Sequence, residues 1–274
     1  MVIPAHDEAR TIARTLAALR DGAPDDLEVV VVCNGCTDDT ATVARSVVPP
    51  VQVLEIVEAS KAAAVIAGNA AASGFPRVHL DADVELRGSS VQLLAASLGD
   101  GVLATAPRRE VPRTGCSIWV RAYYDVWEAL PQVRAGLFGR GVLVLSEEGQ
   151  RRVSALPTLM SDDLAVSEVF EAHERRVVDQ ASVVVHPPRT LGDLLRRRVR
   201  VSTGNAQADD AGIRRSESVT SPEVLVRMVV REPRLLVRMP VFLAVAVVAR
   251  LRSRRAVRAG DFSTWQRDES SRSG

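Results

Sequence analysis

Short apolar runs alternate with amphipathic segments along the first hundred residues of the chain. Four runs rich in valine, isoleucine and leucine predict strands: residues 2–4, 27–33, 51–57 and 77–80. The second run is continuous and β-branched, as expected of a strand that is buried on both faces. Between the runs, Ile12, Leu16 and Leu19 recur at helical spacing, and residues 41–48 and 60–73 also predict helices. This alternation predicts an α/β fold with a mostly parallel central sheet flanked by helices.

Polar residues follow three of these strands at the point where each strand ends. The first strand leads into the sequence HDE, the second into Asn34, and the fourth into the sequence DAD at residues 81–83. Because ligands bind beyond the carboxyl ends of parallel strands, these side chains predict a binding crevice at one edge of the sheet. Asp81 and Asp83 fit either a solvated strand end or a pair of oxygen ligands for a divalent metal.

The alternation ends after residue 107. The later pattern predicts a long amphipathic helix over residues 116–130, a loop with several glycines that enters a strand over 134–146, and a basic helix or turn over 194–207. Asp162 and Asp163 are adjacent at a predicted helix start, where they suit either a general base or the capping of the helix. The absence of a G-x-G-x-x-G after the first strand and of a Walker motif argues against dinucleotide and P-loop chemistry.

The two parts of the chain differ in charge. Residues 1–188 carry 17 basic and 25 acidic side chains, whereas residues 189–274 carry 18 and 9. The basic part holds the longest apolar stretch, residues 239–249, which is too short to span about 30 Å of hydrocarbon as a helix. It suits a helix that lies on an anionic membrane surface, and it equally suits a helix that packs on the body of the protein.

Lysine and cysteine are both rare in this sequence. Lys61 is the only lysine, and the three cysteines are Cys33, Cys36 and Cys116. A low, odd number of cysteines without a signal peptide indicates a reducing cytoplasm. Cys33 and Cys36 have the spacing of a redox or zinc pair, but a structural zinc site needs four ligands, and the sequence offers no second pair or nearby histidine couple.

Five segments occur in the order and with the spacing of a known family. They are VIPAHDEARTIARTLAAL, VVVVCNGCTDDT, LDADVEL, SDDL and RRRVRVSTGN. In this order they resemble the first strand and helix, the nucleotide-binding turn, the D-x-D segment, the acidic dyad and the phosphate-binding arginines of the GT-A family 2 glycosyltransferases. The resemblance covers nearly the whole chain and implies the GT-A fold, with a basic helical C-terminal extension.

The resemblance also implies roles for individual residues. Asp83 would bind a divalent metal, Mn²⁺ or Mg²⁺, and Asp81 would contact water bound to that metal, or the ribose. Asp163 would be the catalytic base, with Asp162 in a structural role. The other residues expected at the nucleotide sugar are Pro4, Ala5, Glu8, Asn34, Lys61, Ala82, Arg198 and Arg200, of which the two arginines suit either the pyrophosphate or a solvated basic surface. Gly139 and Gly141 would border the acceptor.

The activity that the resemblance implies is inverting transfer of one sugar from a UDP- or GDP-sugar to a hydroxyl acceptor. The absence of a Q-x-x-R-W pattern and of transmembrane spans favours the addition of one sugar at a time. The acceptor is expected in cell-envelope, exopolysaccharide or glycolipid synthesis, either lipid-linked or a small phosphorylated molecule, and no nucleic acid is expected as a partner. The expected location is the cytoplasm, with peripheral contact to the inner face of the plasma membrane.

The expected domain organisation follows the composition. A catalytic domain is predicted over residues 1–204, a polar linker over 205–222, and a basic, partly apolar helical segment over 223–274.

Two other functions are alternatives to sugar transfer. A sugar nucleotidyltransferase normally carries a glycine-rich loop after the first strand, where this chain reads AHDEARTI. A degenerate relative could act as a membrane-surface adaptor through the basic segment. Such an adaptor would not need carboxylates at a crevice, so four aspartates argue against it. They are Asp81, Asp83, Asp162 and Asp163.

Overall fold

The computed structural model describes residues 1–47, 50–156, 162–210, 212 and 220–258 of the chain. At residues 162, 163, 208, 210 and 256–258 it describes the backbone only. The described residues form two compact units. The first unit consists of Met1–Pro112, Gly139–Ala155 and Phe170–His186, and the remaining described residues form the second.

The first unit is an α/β unit. Its described strands form one sheet and are β1 (Val2–Ala5), β2 (Val30–Asn34), β3 (Gln52–Ile56), β4 (Arg77–Leu80), β5 (Val84–Leu86), β6 (Ala104–Glu110), β7 (Val142–Leu145) and β8 (Arg175–Val185). Its described helices, numbered along the whole chain, are α1 (Ile12–Leu19), α2 (Thr40–Arg45), α3 (Lys61–Ala71), α4 (Gly88–Ala96) and α7 (Glu147–Ser154).

The sheet has the strand order β3-β2-β1-β4-β7-β6-β8-β5. Strands β3, β2, β1 and β4 are mutually parallel, so their carboxyl ends lie at one edge, as the sequence predicted. β7 is antiparallel to both β4 and β6, and β5 is antiparallel to β8. The sheet is therefore mostly parallel, with an antiparallel part that the early alternation of strands and helices did not indicate.

The strands β1 and β2 are buried on both faces, which confirms the interpretation of the β-branched run at β2. On one face, Val2 and Val32 pack against α3. On the other face, Ile3 and Val31 pack with Ile12 of α1. β2 begins at Val30, later than the apolar run from residue 27, because its neighbour β1 begins at Val2, the partner of Val30.

The second unit is helical among its described residues. Its helices are α5 (Ile118–Trp127), α6 (Pro131–Ala135), α8 (Asp162–Glu168), α9 (Leu191–Asp210), α10 (Pro222–Arg231), a 3₁₀ turn (Pro233–Leu235) and α11 (Met239–Arg258). The helices α5, α9 and α11 pack against one another. The rings of Tyr123 and Phe242 stack with centroids 5.4 Å apart, and the Thr203 hydroxyl donates a hydrogen bond to the Ser253 hydroxyl at 3.1 Å.

The apolar stretch of residues 239–249 lies in α11 and has two different faces. Met239, Phe242 and Val245 are buried, whereas Leu243 and Val247 are exposed. Packing within the protein, which was one of the two interpretations of this stretch, is therefore confirmed for one face of α11. None of the described helices is long and apolar enough to span a bilayer.

The predicted linker is helical at its beginning. α9 continues across position 204 to Asp210, and α10 begins at Pro222. Residues 211 and 213–219 of the linker lie outside the described residues. The domain boundaries at 204 and 222 stay predictions.

Candidate active site

The carboxyl ends of β1 and β2 are tied together by Asn34. This residue is only 3% exposed, and its side-chain amide donates a hydrogen bond to the Ala5 carbonyl at 2.8 Å. The backbone carbonyl oxygen of Asn34 lies 2.5 Å from Nδ1 of His6. Pro4 and Ala5 are buried at the end of β1. The structure thus brings Pro4, Ala5 and Asn34 together at the edge where the nucleotide was expected.

Glu8 is buried directly after this edge, at the entrance to α1. Its carboxylate accepts a hydrogen bond from the Thr11 hydroxyl at 2.6 Å, and its backbone N–H donates to the Thr40 hydroxyl at 2.7 Å. These bonds link the start of α1 to the start of α2. The expected contact of Glu8 with the ribose stays a prediction.

Lys61 and Asp81 form an ion pair at the same edge of the sheet. The Lys61 ammonium lies 2.9 Å from Oδ1 of Asp81, and both side chains are about one third exposed. Lys61 is the first residue of α3, whose start is fixed because the Ser60 hydroxyl accepts the Ala63 N–H at 3.2 Å. The only lysine of the sequence therefore stands beside the first aspartate of the DAD turn.

The DAD turn joins β4 to β5. Ala82 is buried between two half-buried aspartates, Asp81 and Asp83. The Thr15 hydroxyl of α1 lies 2.9 Å from the Ala82 carbonyl and 2.8 Å from the Val84 carbonyl, so α1 anchors the turn from below. Two carboxylates on a short, anchored turn are hard oxygen donors, and this donor set fits a hard divalent cation.

Gly141 packs directly on the DAD turn. Its carbonyl accepts the Asp81 N–H at 2.8 Å, and its φ of 66° lies in the left-handed region. A Cβ at this position would lie 2.7 Å from Cγ1 of Val84 and 3.1 Å from Oδ2 of Asp81. A side chain cannot be accommodated there without movement of the turn. The family resemblance implied that Gly139 and Gly141 border the acceptor. That role stays a prediction, and it is separate from the contact of Gly141 with the DAD turn.

Two arginines that the sequence analysis did not select hold the loop around Gly141. Arg109 donates a hydrogen bond to the Gly139 carbonyl at 2.9 Å, and Arg140 donates to the Pro107 carbonyl at 2.9 Å. Arg140 is 2% exposed, and burial, with a further contribution from the Arg109 charge, lowers its pKa to about 9. The sequence feature that could have indicated Arg140 is its position between two glycines. An arginine there can pack inward and hold a loop whose glycines leave the backbone free to move.

The predicted base and the predicted phosphate-binding arginines belong to the second unit. Asp162 and Asp163 begin α8, and their side chains lie outside the described residues. Arg198 and Arg200 lie in α9, where the Arg198 guanidinium is 5.8 Å from the centre of the Tyr123 ring. Their roles in transfer stay predictions.

A family model matches the first half of the chain. The sequence model of the family described as Glycosyl transferase family 2 matches residues 1–141. No curated protein matches the chain significantly.

Solved structures share the fold over most of the chain. A mannosyltransferase from Pyrobaculum calidifontis in complex with GDP-Man and Mn²⁺ is 21% identical, and the match covers 99% of this chain and 83% of that one with a TM-score of 0.59. Glucosyl-3-phosphoglycerate synthase from Mycobacterium tuberculosis in complex with phosphoglyceric acid is 20% identical over 78% and 80% of the two chains, with a TM-score of 0.55. The same synthase in complex with Mn²⁺, UDP and glucosyl-3-phosphoglycerate has a TM-score of 0.54. These likenesses confirm the predicted GT-A fold.

Proposed function

The chain belongs to glycosyl transferase family 2 and transfers a sugar from a nucleotide sugar, and from this premise we propose that it adds one sugar per event in a single inverting displacement. The observation that supports a donor site is the Lys61–Asp81 ion pair, with Asp83 two residues further on, at the carboxyl edge of parallel strands, where α/β sheets bind ligands.

The proposed donor is a UDP- or GDP-sugar. Asp83 would hold the divalent metal, Mn²⁺ or Mg²⁺. Asp81, which forms an ion pair with Lys61, would contact the ribose or water bound to that metal. When bound, this metal neutralises charge on the departing diphosphate. Pro4, Ala5 and Asn34 would border the base. Support comes from the mannosyltransferase in complex with GDP-Man and Mn²⁺ and from the synthase in complex with Mn²⁺ and UDP, which share this fold.

A panel of nucleotide diphosphates tests the donor site through the melting temperature of the protein. A ligand at 100 times its dissociation constant stabilises the folded state by about 2.7 kcal/mol, which raises the melting temperature by several degrees. We expect such a rise for one nucleotide, only with Mn²⁺ or Mg²⁺ present, and its loss in Asp83→Asn.

Asp100→Asn is the matched control, because Asp100 is an exposed aspartate in the turn between α4 and β6. It should keep the nucleotide-dependent rise. If no nucleotide raised the melting temperature of the unaltered protein, the donor site would be refuted and the adaptor alternative favoured.

The proposed base is Asp163. An acceptor hydroxyl needs a base, because its oxygen must lose a proton as it attacks the anomeric carbon and the bond to the diphosphate breaks. In this assignment Asp163 takes that proton, and Asp162 keeps the start of α8 in place. Arg198 and Arg200 would bind the pyrophosphate, for which guanidinium groups have suitable bidentate geometry.

The variant Asp163→Asn should lose sugar transfer but keep donor binding. This variant removes the proton acceptor but neither the metal ligand nor Lys61, so it should keep the nucleotide-dependent rise in melting temperature. Hydrolysis of purified nucleotide sugar, in which water takes the place of the acceptor and loses its proton to the base, should fall by about 100-fold or more, the usual contribution of a general base. An Asp163→Asn variant that turns over at the normal rate would exclude this residue as the base.

The acceptor is proposed to be lipid-linked, which would place the reaction at the inner face of the plasma membrane in envelope or glycolipid synthesis. The support is the exposed face of α11, where Leu243, Val247 and Leu251 are spaced by four residues. Arginines follow on the same helix at 250, 252, 254 and 255. Apolar side chains flanked by arginines suit an anionic lipid surface.

A further inference from the structure

Three different metal-binding side chains meet where β1 and β2 end. They are His6, Asp7 and Cys36, and one ligand atom of each lies within 4.8 Å of the others. All three side chains are half-buried in the first unit. In the sequence Cys36 pairs only with Cys33, and no further cysteine or histidine lies near this pair. The fold supplies two further ligands from the loop after β1.

The tautomer of His6 is set by a backbone carbonyl. Nδ1 lies 2.5 Å from the Asn34 oxygen, and since a carbonyl only accepts hydrogen bonds, Nδ1 carries the proton. In the neutral ring the lone pair is then on Nε2, which lies 3.9 Å from Oδ2 of Asp7. Histidines that bind metals usually have this arrangement, with the other ring nitrogen bonded to a carbonyl or carboxylate.

Asp7 is held in place by the loop that carries Cys36. Its Oδ1 accepts hydrogen bonds from the Thr37 N–H at 2.6 Å and from the Thr37 hydroxyl at 3.2 Å. Its backbone N–H points to the Cys36 sulfur at 3.4 Å, and its φ of 49° lies in the left-handed region. Few residues other than glycine adopt this region, and such residues concentrate at functional sites.

We propose that His6, Asp7 and Cys36 form a binding site for a thiophilic divalent ion of the zinc type. Bonds of 2.0–2.3 Å to a tetrahedral zinc ion place its ligands about 3.3–3.8 Å apart, so the observed separations need only small side-chain movements. Three protein ligands leave the fourth position to water or to a small ligand. The sulfur and the imidazole select zinc over Mg²⁺ or Mn²⁺, which the oxygen donors of the DAD turn suit better.

This site goes beyond the proposed function, and it adjoins the strand ends proposed to border the base, since His6 bonds to the Asn34 backbone carbonyl and the Cys36 thiol to the Ala5 carbonyl. Its residues differ from Lys61, Asp81 and Asp83, and its ion is of another chemical class. Cys33 is not part of it. That thiol is 1% exposed in the core around β2, so Cys33 serves as the buried control for Cys36.

The test is zinc binding by the full chain after removal of metal, measured by competition with a chromophoric zinc indicator. We expect one zinc ion per chain, bound by the unaltered protein, Cys33→Ser and Asp83→Asn alike. Variants that lose only a group orienting a metal ligand bind metal about 10- to 100-fold more weakly, so Cys36→Ser and His6→Gln should lose at least that much.

A second measurement uses the unaltered protein and so does not depend on the folding of variants. Cobalt in place of zinc should give a sulfur-to-cobalt charge-transfer absorption, and zinc should protect Cys36 from alkylation. Zinc binding that survives His6→Gln but is lost in Cys33→Ser would assign the ion to the cysteine pair and overturn the proposal. Absence of the cobalt band or of zinc binding would also overturn it.

Discussion

Asp81 is constrained on several sides by residues that are distant in the sequence. Lys61 reaches its carboxylate from the start of α3, and the Gly141 carbonyl accepts its backbone N–H. Gly141 has no side chain, and a Cβ at this position would contact both Asp81 and Val84. The orientation of the proposed metal ligands thus depends on a glycine in a separate loop.

Gly141→Ala should disrupt the DAD turn. A residue other than glycine with φ near +60° costs roughly 1–2 kcal/mol of stability, and here the added methyl group also displaces Asp81 or Val84. We expect a lower melting temperature together with loss of the metal-dependent stabilisation by nucleotide diphosphate.

Gly101→Ala separates these two effects. Gly101 has a φ of 86°, and no atom lies within 4 Å of the place that a Cβ on this residue would take, so this variant carries the backbone strain without the clash. It should melt at a lower temperature and still respond to nucleotide and metal. Equal nucleotide responses in the two variants would show that Gly141 does not control the turn.

At the level of elements, the mutually parallel strands β3, β2, β1 and β4 could be predicted, whereas the antiparallel pairing of β7 and β5 could not. β1, β2 and β4 appear in the sequence as apolar runs that end in polar residues, because burial on both faces and a ligand-binding edge leave local signs. β7 and β8 pair with strands far away along the chain, and such register has no local signature. For the same reason Asp81 and Asp83 could be proposed from the sequence, and their roles stay predictions. Arg109 was missed, since it acts on Gly139 across 30 residues.

Helix α3 shows how closely the elements fit at the proposed donor site. Gly68 faces Val2 and Val32, and a Cβ on Gly68 would lie 2.3 Å from Cγ1 of Val2. This contact lets the helix approach β1 and β2 closely, and the same helix begins with Lys61. The spacing of small residues in α3 was visible in the sequence, but the strand that they contact was not. The position of the Lys61 ammonium therefore rests on packing seven residues further along the helix.

At the level of the whole molecule, the basic charge and the exposed apolar face of α11 occur in the same C-terminal segment. The excess of arginine over acid is confined to residues 189–274, and the exposed apolar face of α11 lies within that range. The first unit also exposes large apolar side chains, Ile66 and Leu93, but on helices without neighbouring arginine clusters. This difference predicts that lipid binding depends on α11 and that exposed apolar surface alone is not sufficient.

Vesicle co-sedimentation should locate membrane contact on α11. We expect binding to vesicles rich in anionic lipid, weaker binding at high salt, and loss of binding when Leu243, Val247 and Leu251 are all changed to serine. Burial of one such side chain contributes about 1.5–3 kcal/mol, and each nearby arginine about 1 kcal/mol at an anionic surface.

The control is the double variant Ile66→Ser with Leu93→Ser. It removes exposed apolar groups from the first unit and should bind vesicles as the unaltered protein does. If the triple variant kept its vesicle binding, α11 would not be the membrane surface.

Light scattering tests the other role of this face. If the unaltered protein were a dimer and the triple variant a monomer, the exposed face of α11 would contact another copy of the chain, and the support for a lipid-linked acceptor would be lost.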